Sequence, residues 1–381
     1  MAGFDHTPDR RGTSSQKWDK YEQQDVIPMW VADTDFPAPP AVIQALQGRV
    51  NHGVFGYTLA PRSLSEAIVE RMARLYDWQI QPEWIVYLPG LVCGLNLACR
   101  SFGDSGSPVC SPLPVYPKFT TAPRQSDRQL LSVPMQLQEG RWLLDLAALE
   151  QQLAQHAPAL LLLCNPHNPG GTVYRREELQ ALAALCQRYN TLICSDEVHC
   201  DLLLEPGLCH TPIASLSEDA NQRTLTLMAP SKAFNVAGLA CSFAIVANPE
   251  WRQRLKRVMR GIVPDVNLLG YTAAEAAYRH GDDWLSAQND YLRGNRDLLM
   301  ERINAIPGLR LHPIEATYLA WIDCSALALD NPQQFFERHG VGMSPGKDFG
   351  NGNFVRLNFG CSRALLEQAI NRMEQAVASL A

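Results

Sequence analysis

At 381 residues, 46 % of them hydrophobic, the chain is long enough for a large core and for two domains, or one large domain with a lobe. Its formal net charge is −6 and no run of lysine and arginine forms a basic stripe, which sets nucleic-acid binding aside. Neither the opening MAGFDHTPDRRGTSSQKW nor any later stretch has the apolar length of a signal peptide or a membrane span, so a soluble cytoplasmic protein is the expectation.

The first 45 or so residues are rich in proline and charge around the short apolar piece IPMWVAD, and read as an arm followed by a turn. From about residue 60, helical patterns alternate with short apolar runs: SLSEAIVERMARLY, then WIVYLPG, GLVCGLNLACRSF and SPVCSPLPVY. Such alternation predicts an α/β sheet. In the middle of the chain ALLLLCN (159–165), TLICSDE (191–197) and TLTLMAPSK (224–232) are apolar runs ended by polar residues, as buried strands would be. Between the first two, Leu179, Leu182, Ala183, Leu185, Cys186 and Tyr189 recur at spacings of three and four, the mark of an amphipathic crossover helix joining parallel strands. Ligands of such sheets bind beyond the carboxyl ends of the strands, so Asn165 to Asn168, Asp196 and Lys232 are expected to converge there. After GLACSFAIV come the helical WRQRLKRVMRGI, a longer helical stretch near 271–305, and an αβ segment ending in RALLEQAINRMEQAVASL. The expected architecture is a large domain over residues 46–284, with a mostly parallel central sheet between helices. Residues 1–45 and 285–381 are expected to form an arm plus a smaller α/β domain.

Eleven cysteines are scattered singly, many inside apolar runs, as at Cys164 and Cys194. Without a CxxC pair they read as buried free thiols. His199-Cys200-Asp201 are consecutive and cannot all face one ion, so no metal is expected.

Five features suggest chemistry, though each alone has a plainer explanation. Lys232 lies between two apolar strands, where burial would lower its pKa, but a lysine there could also be a solvated loop tip. Asp196 ends a strand, where it could face a cationic group or merely cap a turn. The prolines and glycines of Asn165-Pro166-His167-Asn168-Pro169-Gly170-Gly171 set a turn able to present an Asn amide. Pro89-Gly90-Leu91-Val92 joins a strand to a helix, whose first N–H groups could grip a phosphate. Arg356, in the strand-like FVRLNFG, could hold a carboxylate through two hydrogen bonds. No GxGxxG occurs, which argues against a dinucleotide enzyme.

Taken together these residues resemble the fold-type I, class I/II aminotransferases through nearly the whole chain. NPHNPGG resembles the NPxNPxG motif of that family, SDEVHCDL its Asp strand and APSKAFNVAGL its Schiff-base lysine segment. DRRGTSSQKWDKY (9–21), PMWVADTDF (28–36), FGYT (55–58), PVYPKF (114–119) and DEVHCDL resemble, within it, the cystathionine β-lyases of the MalY/PatB type. The resemblance implies the cofactor pyridoxal 5′-phosphate (PLP), with Lys232 as catalytic Schiff-base lysine and Asp196 as partner of the pyridine nitrogen. Asn168 and His199 would neighbour the ring oxygen, and Tyr116 would stack on the ring. Gly90, Leu91, Val92 and Ser231 would hold the phosphate, Ser231 standing in because position 229 carries Ala where many relatives have Ser or Thr. The segment GLVCG also lacks the proline that β-lyases often place after a Val-Val pair. Arg356 and Asn168 would bind the amino-acid substrate. Tyr57 would reach substrate and phosphate in a neighbouring subunit, implying a homodimer with shared sites. The implied reaction is α,β-elimination of L-cystathionine or related cysteine S-conjugates to thiol, pyruvate and ammonia. An aminotransferase is the alternative, and a PLP-binding protein without turnover a third reading.

Overall fold

The computed structural model describes residues 3–380. Runs such as LLLLC and SFAIV, rich in leucine, isoleucine, valine and phenylalanine, can be buried on both faces only in a sheet covered on both sides. Leu160–Cys164, Thr224–Met228 and Ser242–Val246 are buried at every position. They belong to an eight-stranded sheet in the spatial order Ile85–Leu88, Ser242–Val246, Thr224–Met228, Leu192–Asp196, Leu160–Cys164, Pro108–Leu113, Gln129–Gln138, Arg141–Leu144. Its central pairs are parallel, while Ser242–Val246 and Arg141–Leu144 run antiparallel to their neighbours. Successive side chains point to opposite faces. Leu160 and Leu162 therefore pack with Leu95, Ala98 and Leu255 on one side, and Leu161 and Leu163 with Leu149, Leu179 and Leu182 on the other. The expected crossover is the helix Arg176–Arg188, which buries Leu179, Leu182, Leu185 and Cys186.

Strand register decides where the loops emerge. Cys164 lies opposite Asp196, and Asp196 opposite Leu227. The carboxyl ends of three neighbouring strands are thus level, and the segments carrying Asn168, Asp196 and Lys232 leave the sheet on one edge.

A five-stranded sheet, ordered Ile27–Met29, Val341–Pro345, Phe354–Asn358, Leu319–Asp323, Arg310–Leu311, faces that edge with the helices Asp282–Ala305 and Arg363–Ala378 behind it. The stretch expected as one helix near 271–305 is two, Leu268–His280 and Asp282–Ala305. The chain turns at Gly281, where a Cβ would lie 2.5 Å from the Ala277 carbonyl and 2.6 Å from the Phe234 ring. The expected domain limits at 45/46 and 284/285 fall inside the helices Pro40–His52 and Asp282–Ala305. All cysteines are free, and all but Cys93 and Cys209 are buried. No helix among the described residues is long and apolar enough to cross a membrane.

The arm is built on buried charge. Lys17 Nζ lies 2.9 Å from Asp35 Oδ2, with side chains 0 % and 1 % exposed. Arg10 reaches Asp35 Oδ1 at 2.8 Å and Asp33 Oδ2 at 2.7 Å, and Trp18 Nε1 donates to Asp35 Oδ1 at 2.9 Å. Dehydrating such ions is costly, and the cluster holds because Asp35 accepts from three donors. It fixes residues 30–35, of which Trp30, Val31 and Ala32 line the cleft. Replacing Asp35 by Ala strands the buried Lys17 ammonium and is expected to lower the free energy of unfolding by about 3–5 kcal/mol, read from urea melts. A loss below about 1 kcal/mol, the range of a solvated surface pair, would contradict a buried role.

Candidate active site

A cavity of about 680 Å³ opens at the level strand ends, between the large sheet, the arm and the small sheet. Lys232 enters it from a turn after Thr224–Met228, closed by Phe234 N–H to the Pro230 carbonyl (3.0 Å) and Val236 N–H to the Ser231 carbonyl (3.1 Å). Asn235, at φ 53, sits in the left-handed region that asparagine tolerates. Its Nδ2 donates to the carbonyls of Thr34 (2.9 Å) and Phe36 (2.7 Å), and its Oδ1 accepts from Thr34 N–H (3.2 Å), which stitches the lysine turn to the arm. Lys232 Nζ donates to the Ala32 carbonyl at 2.6 Å. Burial, assisted by the nearby Arg356 cation, pushes its pKa down to about 8 against the pull of Asp33 and Asp196.

Asp196 takes its place from the end of its strand. Burial raises its carboxyl to about 7, although Val198 N–H donates to it at 3.2 Å and Lys232 is near. His199, 3 % exposed, is pushed down to about 3 by burial and then by Lys232 and Arg356. Its neutral ring has no partner at Nδ1.

The turn Asn165–Gly171 works through its own packing. His167 Nε2 engages the Pro114 carbonyl at 3.0 Å, and Gly170 N–H donates to His167 Nδ1 at 3.2 Å. Gly171, at φ +71, occupies a conformation that side chains rarely adopt, and a Cβ there would meet Ile314 at 2.9 Å. Asn168 is thereby presented to the cavity, with its Oδ1 accepting from Arg356 Nη1 at 3.1 Å.

Arg356 is a buried cation whose protein partners are all neutral. Its Nη2 donates to the Trp30 carbonyl (2.9 Å) and Ser344 Oγ (3.3 Å), its guanidinium lies 4.6 Å from the centre of the Phe349 ring, and Nε has no partner. Burial lowers its pKa to about 10. Among the described residues no carboxylate pairs with it, so an anionic ligand would find the site prepared.

Gly90 precedes the helix Leu91–Ser101, whose start has no side-chain cap, and Gly90, Leu91 and Val92 line the cavity. A Cβ at Gly90 would meet nothing within 4 Å, as befits a position at the cavity edge. The Tyr116 ring, Ala229 and Ser231 also line it, and Tyr116 N–H is bonded to the Asn168 carbonyl at 3.1 Å. Lys232, Asp196, Asn168, Tyr116, His199, Ser231, Gly90, Leu91, Val92 and Arg356 thus come together. Tyr57 does not: it stands fully exposed beside Val54, Phe55 and Leu59, outside the cavity of its own chain.

Sequence reasoning missed Tyr318, Ser344, Phe349 and the carbonyls of Trp30 and Ala32. Tyr318, fully buried, donates its hydroxyl to the same Ala32 oxygen as Lys232, at 3.0 Å, and its ring meets that of His199 edge-on. It directly precedes the apolar strand Leu319–Asp323 and reads as part of it, and backbone carbonyls leave no trace in a sequence.

The family model described as aminotransferase class I and II matches residues 24–373. The chain belongs to that family. Cystathionine β-lyase PatB of Bacillus subtilis (strain 168) is 37 % identical, covering 98 % of this chain and 99 % of its own length. The crystal structure of OvoB superposes with a TM-score of 0.97 at 53 % identity, covering 99 % of both chains. Cystalysin from Treponema denticola, whose structure contains pyridoxal 5′-phosphate, superposes at 0.95 with 29 % identity and full coverage of both chains. In this member of the class I and II aminotransferases, the cavity holds Asp196 and Arg356 away from any paired counter-charge.

That electrostatic cost can be measured on the chain stripped of cofactor. Between about pH 4 and 7 the folded chain keeps a proton on Asp196 that the unfolded chain has lost, so this group's contribution to stability falls as pH rises through that window. Asp196→Asn is therefore expected to melt higher than wild type by a wide margin at pH 8 and by a clearly narrower one at pH 5, by calorimetry. Equal melting at both pH values would mean that Asp196 is well solvated.

Proposed function

We propose that the chain is a PLP-dependent carbon–sulfur β-lyase that cleaves L-cystathionine or related cysteine S-conjugates to thiol, pyruvate and ammonia. The observation that carries the reading is one cavity that joins a lysine of lowered pKa, a carboxyl of raised pKa and a buried arginine lacking an anion. The arm motifs that form one wall of this cavity support a lyase, as does the likeness to PatB.

The unmet groups fit PLP. Lys232 would hold it covalently and Asp196 would face its ring nitrogen, a cationic partner that removes the cost of that buried carboxylate. The orphan Nδ1 of His199, with Asn168, would neighbour the ring oxygen. Tyr116 would stack on the ring, and the uncapped helix start at Gly90, Leu91 and Val92, with the Ser231 hydroxyl, would hold the phosphate. When bound, PLP supplies an electron sink that makes the substrate Cα proton removable and lets a group leave Cβ.

The side chains supply the remainder. Arg356 would clamp the substrate α-carboxylate, its plane set by Asn168, Ser344, the Trp30 carbonyl and the Phe349 face. Lys232, as the free amine, would remove the substrate Cα proton. A pKa near 8 keeps a useful fraction neutral at pH 7, and the Ala32 carbonyl receives the ammonium once protonated. The exposed segment bearing Phe55 and Tyr57 calls for a cover, and a second copy would let Tyr57 reach the neighbour's phosphate and substrate. Free thiols throughout suit a reducing compartment such as the cytoplasm.

Incubation with L-cystathionine is expected to release pyruvate and thiol in equal amounts. Amino exchange with 2-oxoglutarate and no ammonia would move the assignment to an aminotransferase. Lys232→Ala is expected to lower turnover by a factor on the order of 10² to 10⁴, the usual share of a general base. Arg356→Ala is expected to lower kcat/KM by about 10- to 150-fold, as losing a charge-assisted hydrogen bond does, and Arg356→Lys to recover little because lysine lacks the planar fork. A fall of less than about threefold in the arginine variants, well under that range, would remove Arg356 from substrate binding.

A further inference from the structure

Outward from Arg356 the cavity reaches a rim made by the arm, the Pro332–Arg338 helix and the turn before Phe349. Lys20 stands on that rim and is unusually well held for a lysine open to solvent. Its ammonium donates to the Tyr21 hydroxyl at 2.7 Å and to Glu337 Oε1 at 3.1 Å, and lies 4.5 Å and 5.0 Å from the centres of the Tyr21 and Trp30 rings. Glu337 also accepts from Tyr21 (2.5 Å) and Gln333 (2.9 Å), so its carboxylate is shared among three donors. An ammonium has three donors, and two are used here. Trp30 links this cation to the inner one, since its ring lies near Lys20 while its carbonyl accepts from Arg356. Asp348 lines the same rim, next to the Phe349 ring that carries the Arg356 guanidinium. Among the described residues no group pairs with its carboxylate.

A substrate anchored by its α-carboxylate on Arg356, with its Cα at Lys232, would need room for its sulfur substituent, and this outer part of the same cavity offers it. We propose that Lys20 and Asp348 form a distal subsite that selects conjugates whose leaving thiol itself carries a carboxylate and an ammonium. The preferred leaving group is an amino-acid thiol, with Lys20 reading its carboxylate and Asp348 its ammonium. A plain S-alkyl group leaves both charges to water and gains nothing from them. The proposal rests on the lyase reading. In that reaction the Cβ–S bond breaks, sulfur keeps the electron pair and gains a proton, and the three-carbon fragment takes up one water to become pyruvate and ammonia.

The test compares kcat/KM for L-cystathionine and S-ethyl-L-cysteine, by pyruvate release, in the holoenzyme of wild type, Lys20→Met, Lys20→Arg and Asp348→Asn. Wild type is expected to prefer L-cystathionine. The preference ratio is expected to fall about tenfold in Lys20→Met and about threefold to fivefold in Asp348→Asn, mainly through KM, and to be largely kept in Lys20→Arg, as loss of one charge-assisted contact at a half-exposed site predicts. If wild type cleaves both substrates and the ratio does not move in either Lys20→Met or Asp348→Asn, the distal subsite is wrong and the lyase stands. If wild type releases pyruvate from neither substrate but exchanges amino groups, the lyase reading fails and takes this proposal with it.

Discussion

Lys17 and Asp35 are both withdrawn from water, and the chain can keep them so only by surrounding the carboxylate with donors: Lys17 Nζ, Arg10 and Trp18 Nε1. That requirement folds residues 10–35 back on themselves and gives the arm a single path. The path sets three carbonyls that the side chains of the cleft use. Trp30 accepts from Arg356, Ala32 from Lys232 and Tyr318, and Val31 from Asn358. Asn235, three residues after Lys232, closes the circuit from the other side by binding the backbone at Thr34 and Phe36. An unordered arm would leave the lysine and the arginine without the neutral oxygens that steady them.

The cleft is the converse case. There the chain buries charge and leaves it unpaired. Asp196 is held towards its neutral form and Lys232 towards its free amine, both mainly through burial, and among the described residues Arg356 bonds only to neutral groups. The stability put into the arm by matched ions supports a site whose ions await partners, which is the arrangement that binds a charged ligand strongly. Using neutral groups to orient Arg356 matters in the same way, because Asn168, Ser344 and a peptide carbonyl fix its plane without cancelling its charge.

Two sheets divide the labour. The large one brings the Asn168, Asp196 and Lys232 segments to one edge because Cys164, Asp196 and Leu227 are in register. The small one contributes Ser344 from one strand and Arg356 from the next, which face each other as a cross-strand pair. The cavity lies where the two meet, so its inner end is set by the large sheet and its outer rim by the arm and the small domain.

Much of this was legible in the residues themselves. The three apolar runs and the 3.6-period helix between them required parallel strands, and parallel strands place their following loops together, so the grouping of Asn168, Asp196 and Lys232 follows from the sequence. Arg356 stood out in its own strand as a carboxylate binder, and the motif likeness added Tyr116 and His199. What stayed hidden has physical reasons. Gly281 splits a continuous helical pattern because of how closely Phe234 and the Ala277 carbonyl approach it, a contact between distant segments. Tyr318 reads as one more apolar strand residue until its hydroxyl is seen on the Ala32 oxygen. The charged arm motif reads as solvated surface because nothing in its order reveals that Lys17 will be buried on Asp35. By itself the sequence determined the elements, the family and the residue types of the site, since periodicity and motif spacing are local properties. Only the tertiary structure decided which carbonyls serve the cleft and which charges remain unpaired, and where Tyr57 lies, because burial and backbone position arise when segments hundreds of residues apart pack together.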